Sequence, residues 1–123
     1  MMELSEPIKY GELYFVNFEP QVGAEITKIR PALVLSNDFF NAEQDLIWTV
    51  PLTTWQSKFE NRLWLIKLSK NQNNGLERDS AINCSQIKSF SKERFKQKIG
   101  FVEQEIIKKV RYIINEIMDS RFN

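Results

Sequence analysis

One stretch, Gly11 to Asp38, constrains this chain more than any other: GELYFVNFEPQVGAEITKIRPALVLSND. It holds two runs suited to β-strands. Leu13, Phe15 and Phe18 lie on LYFVNF, dense in the aromatic and β-branched side chains that fit a pleated, half-buried surface. Ala32 to Leu35 is a continuous apolar run, opened by Pro31, a position where a strand can spare one N–H donor. Between them lies a polar loop, Glu19 to Ile29, with Pro20 and Gly23. The pattern predicts a β-hairpin with a long, mobile tip. Rigid strands flanking such a loop are a frequent seat for chemistry. Here an acid, Glu25, and a base, Arg30, stand at the foot of one hairpin.

The rest of the chain extends the sheet. Ser36 to Asn41 reads as a turn with a helical start, with Phe39 and Phe40 as core or interface contacts. LIWTVPL, Leu46 to Leu52, is apolar on both faces and predicts a central strand, with Pro51 marking its end or an irregularity. Thr53 and Thr54 follow, then a polar loop from Trp55 to Asn61. Arg62–Leu68 and Ser80–Ile87 predict further strands on either side of an NQNNG turn. Ser91 caps a short helical turn through Phe95, and Lys96–Val102 is a last strand. From Glu103 the period changes. Ile106, Ile107, Val110, Ile113, Ile114 and Ile117 recur at three- and four-residue steps, giving an amphipathic helix of about four turns. The sum is a mainly β (α+β) fold, a small bent antiparallel sheet with one long C-terminal helix.

At 123 residues the chain is expected to be a single domain, 1–123, with residues 1–9 as a short leader in which Pro7 opposes a helix. No apolar run reaches the roughly 18 residues of a membrane span, and no signal peptide is expected. Cys84 is the lone cysteine, so no intrachain disulfide forms and a cytoplasmic setting is expected. Cys84 itself reads as a buried hydrophobe. There is no histidine, which removes Ser-His and Cys-His nucleophilic pairs and most zinc sites. There is no Gly-rich phosphate loop. Catalysis is left to carboxylates, Arg, Lys, hydroxyls or Tyr, with no cofactor or metal implied. The net charge of +1 hides a gradient, with residues 1–50 mainly acidic and residues 86–112 mainly basic. A basic stretch attracts a phosphate backbone, although a solvated helix and loop face shows the same pattern.

The ordered set Gly11-Glu12-Leu13-Tyr14, Asn17-Phe18, Pro20, Gly23, Glu25, Arg30-Pro31-Ala32-Leu33-Val34 and Ser36-Asn37 resembles the opening of the MazF/PemK toxins. The likeness continues through Val50-Pro51-Leu52-Thr53, Gly75-Leu76, Asp79-Ser80-Ala81, Gln86-Ile87-Lys88 and Lys98-Ile99-Gly100, and so runs from about Tyr10 to Ile117. Lys88 and Ser89 depart from the Arg and Thr common in the family, Glu103 replaces a capping Ser, and the leader is longer. The resemblance implies an SH3-like small β-barrel with a C-terminal helix, usually a homodimer. It implies a type II toxin that cuts single-stranded mRNA without a metal and is held in check by a cognate antitoxin protein.

In such enzymes the ribose 2′-hydroxyl attacks the adjacent phosphate, leaving a 2′,3′-cyclic phosphate and a 5′-hydroxyl. The reaction needs a proton acceptor, a proton donor and a stabiliser of the phosphorane. By the resemblance, Arg30 binds the phosphate, Thr53 donates its hydroxyl to it, and Glu25 is a base or an orienter of Arg30. The candidate RNA contacts are Ser80 and Gln86, as polar strand residues reaching bases, Lys88 in the basic stretch, and Trp55 and Phe59 as stacking rings, which fit an interface or core place equally well. Two rival readings are a CcdB-like toxin that acts by binding a protein and a degenerate member that binds RNA or antitoxin without cutting. Against the first stand the Arg30-Pro31 and Thr53 motifs and a tail, Ser120-Arg121-Phe122-Asn123, without the Trp-Gly-Ile ending of that family.

Overall fold

The computed structural model describes residues 6–18 and 29–122. The hairpin tip, with Glu25, lies outside the described residues. Its two arms are where the sequence puts them. β1 (Glu12–Asn17) and β2 (Ile29–Val34) pair antiparallel, with Leu13 opposite Leu33 and Val16 opposite Arg30. Pro31 lies inside β2 rather than at its start, opposite Phe15. A short helix α1 (Asp38–Glu43) follows, its first turn capped by Asn37, whose side-chain oxygen accepts the Phe40 N–H at 2.8 Å.

β3 (Leu46–Thr54) is the central strand. One edge pairs with β2; the other pairs first with β6 (Lys88–Ser91) and then with β5 (Ser80–Asn83). β4 (Leu65–Leu68) lies beyond β5, and β7 (Phe95–Phe101) beyond β1. The order is β4-β5-β3-β2-β1-β7, with β6 sharing the edge of β3, and every pairing is antiparallel. Two register shifts between β1 and β7 bend the sheet, which does not close on itself.

The break between β5 and β6 corrects the expected strand Ser80–Ile87, and Pro51 explains it. The Leu35 N–H donates to the Trp48 carbonyl at 2.8 Å, and the Lys92 N–H to that of Asp45 at 2.9 Å. By antiparallel alternation, Trp48 and Val50 therefore bond toward β2, while Ile47, Thr49 and position 51 face β6. Continuing the β6 register would ask Pro51 to bond Gln86, and a proline has no N–H to give. The ladder stops there. In the β5 register Pro51 would face Asn83 instead, so the chain loops out through Cys84–Ile87. Asn83 shapes that turn by accepting from the N–H and hydroxyl of Ser85.

Both faces of the bent sheet are covered. On one, Leu13, Leu33, Val50, Leu52 and Ile82 pack with Ile107 and Val110 of α2 (Gln104–Ile117). On the other, Tyr14, Val16, Ala32, Val34 and Ile47 pack with Phe90 and Phe95. The alternation along β1 sends Leu13 to one core and Tyr14 to the other. Full burial of Ile107 and Val110 contributes about 1.5–3 kcal/mol each. Ile117, at the end of the apolar stripe, is half-exposed. One other expectation fails: Arg62–Trp64 form a turn rather than the start of β4, leaving Leu63 and Trp64 exposed. Phe39, expected in the core or an interface, is 78% exposed and so outside the core.

Candidate functional site

The β2–β3 pairing ends at Ala32 opposite Pro51. Carried two residues further, the same register would set Arg30 opposite Thr53, on one face of the two strands. There the strands have parted, so the two side chains border open space instead of a ladder. Two clefts, of about 340 Å³ and about 430 Å³, meet at this place. The first is lined by Arg30, Pro31, Leu52, Thr53 and Thr54, by Gly75–Arg78 of the β4–β5 turn, and by Ser80. The second is lined by Phe18, Arg30, Pro51, Leu52 and Thr53 with Asn83, Gln86 and Lys88. Arg30 and Thr53 belong to both. Arg30 is exposed and Thr53 half-buried, so neither is a core residue.

The remaining candidates divide. Gln86 and Lys88 are exposed in the second cleft, with Gln86 on the extruded turn rather than on a strand. The Lys88 carbonyl accepts the Thr49 hydroxyl at 3.0 Å, which fixes the start of β6. Ser80 borders the first cleft but is only 6% exposed, and its hydroxyl donates to the Arg78 carbonyl at 3.0 Å, so it braces the turn rather than reaching out to a base. Trp55 and Phe59 line neither cleft. They pack edge to face at 5.8 Å, with Phe59 buried among Trp55, Lys58 and Arg62. Of the two places open to Phe59, stacking on a base or packing in the fold, the ring takes the second. The half-buried Trp55 carries the Lys67 ammonium 5.5 Å from its ring centre. Glu25 lies outside the described residues.

The sequence reading passed over Phe18, Asn83 and Arg78, which also line the clefts. For Arg78 a signal exists, because it sits inside the motif block between Gly75-Leu76 and Asp79-Ser80, although it lies outside the basic stretch 86–112.

Away from the clefts, Cys84, Tyr14 and the Lys98–Glu12 pair are tied into the fold. Cys84 is buried, which pushes its thiol up to about 11 and leaves it a poor nucleophile at neutral pH. Burial and the neighbouring Glu12 raise the Tyr14 phenol, whose hydroxyl donates to Glu12 Oε1 at 3.0 Å. Lys98 pairs with Glu12 Oε2 at 2.6 Å, and that bond raises the ammonium pKa. Among the described residues no three His, Cys, Asp or Glu side chains gather to hold a metal ion. No helix among them is long and apolar enough to cross a membrane.

Comparison with known proteins places the chain in a family. Residues 9–118 match the family described as PemK-like, MazF-like toxins of type II toxin–antitoxin systems. Endoribonuclease EndoA of Bacillus subtilis is 32% identical over 103 residues, 84% of this chain and 87% of the relative. Endoribonuclease toxin MazF of Escherichia coli K12 is 30% identical over 109 residues, 88% of this chain and 91% of the relative. Among solved structures, MazF of Deinococcus radiodurans superposes with a TM-score of 0.75 at 21% identity, covering 93% of this chain and 98% of the other. The MazE–MazF complex of that organism gives 0.76 at 22% identity, covering 93% and 97%. On likeness spanning nearly its whole length, the chain belongs to the PemK-like, MazF-like family of toxins of type II toxin–antitoxin systems, which includes these endoribonucleases.

Proposed function

We propose that this toxin is an endoribonuclease that cuts single-stranded RNA without a metal, at the ridge formed by Arg30 and Thr53. The observation that carries the reading is their shared position where β2 and β3 part, bordering both clefts. A phosphodiester seated there meets a guanidinium and a hydroxyl at once. The planar fork of Arg30 binds two phosphate oxygens and holds the charge that grows on the phosphorane. The Thr53 hydroxyl donates to the same group. Glu25 is the acid of the hairpin nearest in sequence to Arg30, and serves as proton acceptor or as orienter of that guanidinium. The flanking nucleotides occupy the two clefts. Lys88 holds backbone charge and Gln86 offers both a donor and an acceptor to a base edge.

The endoribonuclease names of the curated relatives support the RNA substrate. The solved MazE–MazF complex, and a mycobacterial endoribonuclease solved with its cognate antitoxin, support a protein antitoxin as partner. An acidic segment of that partner would compete with RNA for Arg30 and Lys88. A homodimer is supported by apolar surface away from the clefts: Trp48, Tyr112 and Met118 are exposed, and Phe40 stacks edge to face on Trp48 at 5.9 Å. These residues, with Leu35, border two hollows that adjoin at Leu35 and Arg111.

The test uses one short RNA cut at a single bond, with and without a 2′-deoxy sugar just 5′ of that bond. The chain lacks histidine, and its one thiol is buried, so the ribose hydroxyl is the nucleophile at hand. The deoxy strand should bind with slightly reduced affinity and stay whole, while EDTA leaves the rate on the natural strand unchanged. Cleavage of the deoxy strand at the same bond, or a 5′-phosphate on the product, would mean attack by water and sink this mechanism.

A further inference from the structure

We propose that Arg78 is a second phosphate-binding residue, gripping the RNA backbone on the first-cleft side of the bond held at Arg30 and Thr53; this rests on the reading of those two residues as the cutting site. Arg78 is exposed and lines the cleft that Arg30 and Thr53 also line. The ion pairs among the described residues are Lys9–Asp38, Lys98–Glu12 and Arg121–Asp119, so Arg78 has no carboxylate there within 4.0 Å. Glu77 borders the same cleft without pairing to it. Two guanidiniums facing one cleft repel unless an anion lies between them. A single-stranded RNA brings such anions in a row, one per nucleotide.

The backbone that carries Arg78 is fastened to an extent an idle surface arginine does not need. Asn74 is wholly buried; its side chain accepts from the N–H groups of Asn71 and Leu76 and donates to the Ser69 carbonyl, at 2.9–3.0 Å. Gly75 has φ +63° and lies so close to β7 that a Cβ would stand 2.4 Å from the Ile99 carbonyl oxygen. Asp79 is tied at both ends, its side chain accepting from the Lys70 N–H at 3.0 Å and its carbonyl from the Trp55 N–H at 2.9 Å. The Ser80 hydroxyl donates to the carbonyl of Arg78 itself. A turn fixed in advance loses little entropy when its arginine closes on a phosphate, which is how a weak surface charge becomes a binding group.

Arg78→Ala, Arg78→Lys and Arg30→Ala should be compared with the wild type on a short RNA. Neutral methylphosphonates are placed one at a time at phosphates flanking the cut. Arg78→Ala should raise KM about five- to tenfold, with the loss in KM rather than kcat. It should flatten the slope of log KM against log salt by about 0.7, the value for one phosphate contact on a single strand. One methylphosphonate that weakens the wild type should cease to matter in Arg78→Ala. Arg78→Lys should recover the salt slope, since it restores the charge. If Arg78→Ala keeps the wild-type KM, salt slope and methylphosphonate profile, or if it lowers kcat alone, the assignment is overturned. Arg30→Ala keeps the two readings apart: its inactivity upholds the cutting site whatever Arg78 does, and its cutting at the wild-type rate would remove the site itself.

Discussion

The two clefts that meet at Arg30 and Thr53 are walled in opposite ways. The first is backed by the turn between β4 and β5, held by a fully buried asparagine, a glycine packed on β7 and a chain of side-chain bonds running to Ser80. The second is backed by Cys84–Ile87, residues pushed out of the sheet because Pro51 cannot continue the ladder, with Gln86 and Ile87 exposed. One wall carries Arg78 on a turn held by buried side-chain bonds. The other presents Gln86 and Lys88, both exposed, on and beside a short turn. On the proposed function the first wall offers a charge to the RNA backbone, and the second offers a charge together with an amide that a base edge can engage.

The largest effect should come from the ridge common to both walls. Arg30→Ala and Thr53→Ala should each slow RNA cleavage by about 10²–10³. Stability should stay within about 0.5 kcal/mol of wild type, because both side chains stand at strand ends outside the core. Variants that melt normally and cut at the wild-type rate would show that the clefts meet at the wrong residues.

Next in size is the rigid wall. Asn74→Ala removes a buried side chain that bonds two part-buried N–H groups and a carbonyl, and should cost about 1–3 kcal/mol in urea unfolding while raising KM in the same sense as Arg78→Ala. An unchanged midpoint would mean the turn is held by other contacts, and the contrast between the walls would fall. The smallest effect should come from the second wall. Gln86→Ala should leave unfolding within about 0.5 kcal/mol of wild type yet change the preferred cleavage sequence a few-fold, read by mapping cuts across a long RNA. If it shifts stability and leaves the cut sites alone, Gln86 belongs to the fold and not to recognition.

Much of this was legible in the residues themselves. Alternating aromatic and β-branched side chains determine β1, the apolar run after Pro31 determines the body of β2, and isoleucines at three- and four-residue steps determine α2, because these are local periodicities that any packing partner must respect. The NQNNG turn is equally local, since it depends on what Gly75 alone tolerates at positive φ. The ordered motifs brought Arg30 and Thr53 into view together. What the sequence left undetermined depends on partners far along the chain. Ser80–Ile87 reads as one strand until Pro51 stands across from it. Arg78 reads as ordinary surface charge until the bent sheet brings its turn up to the same cleft as Arg30, 48 positions earlier in the chain. Periodicity is written into neighbouring residues, whereas a missing ladder donor or a shared cleft exists only once distant strands have taken their register.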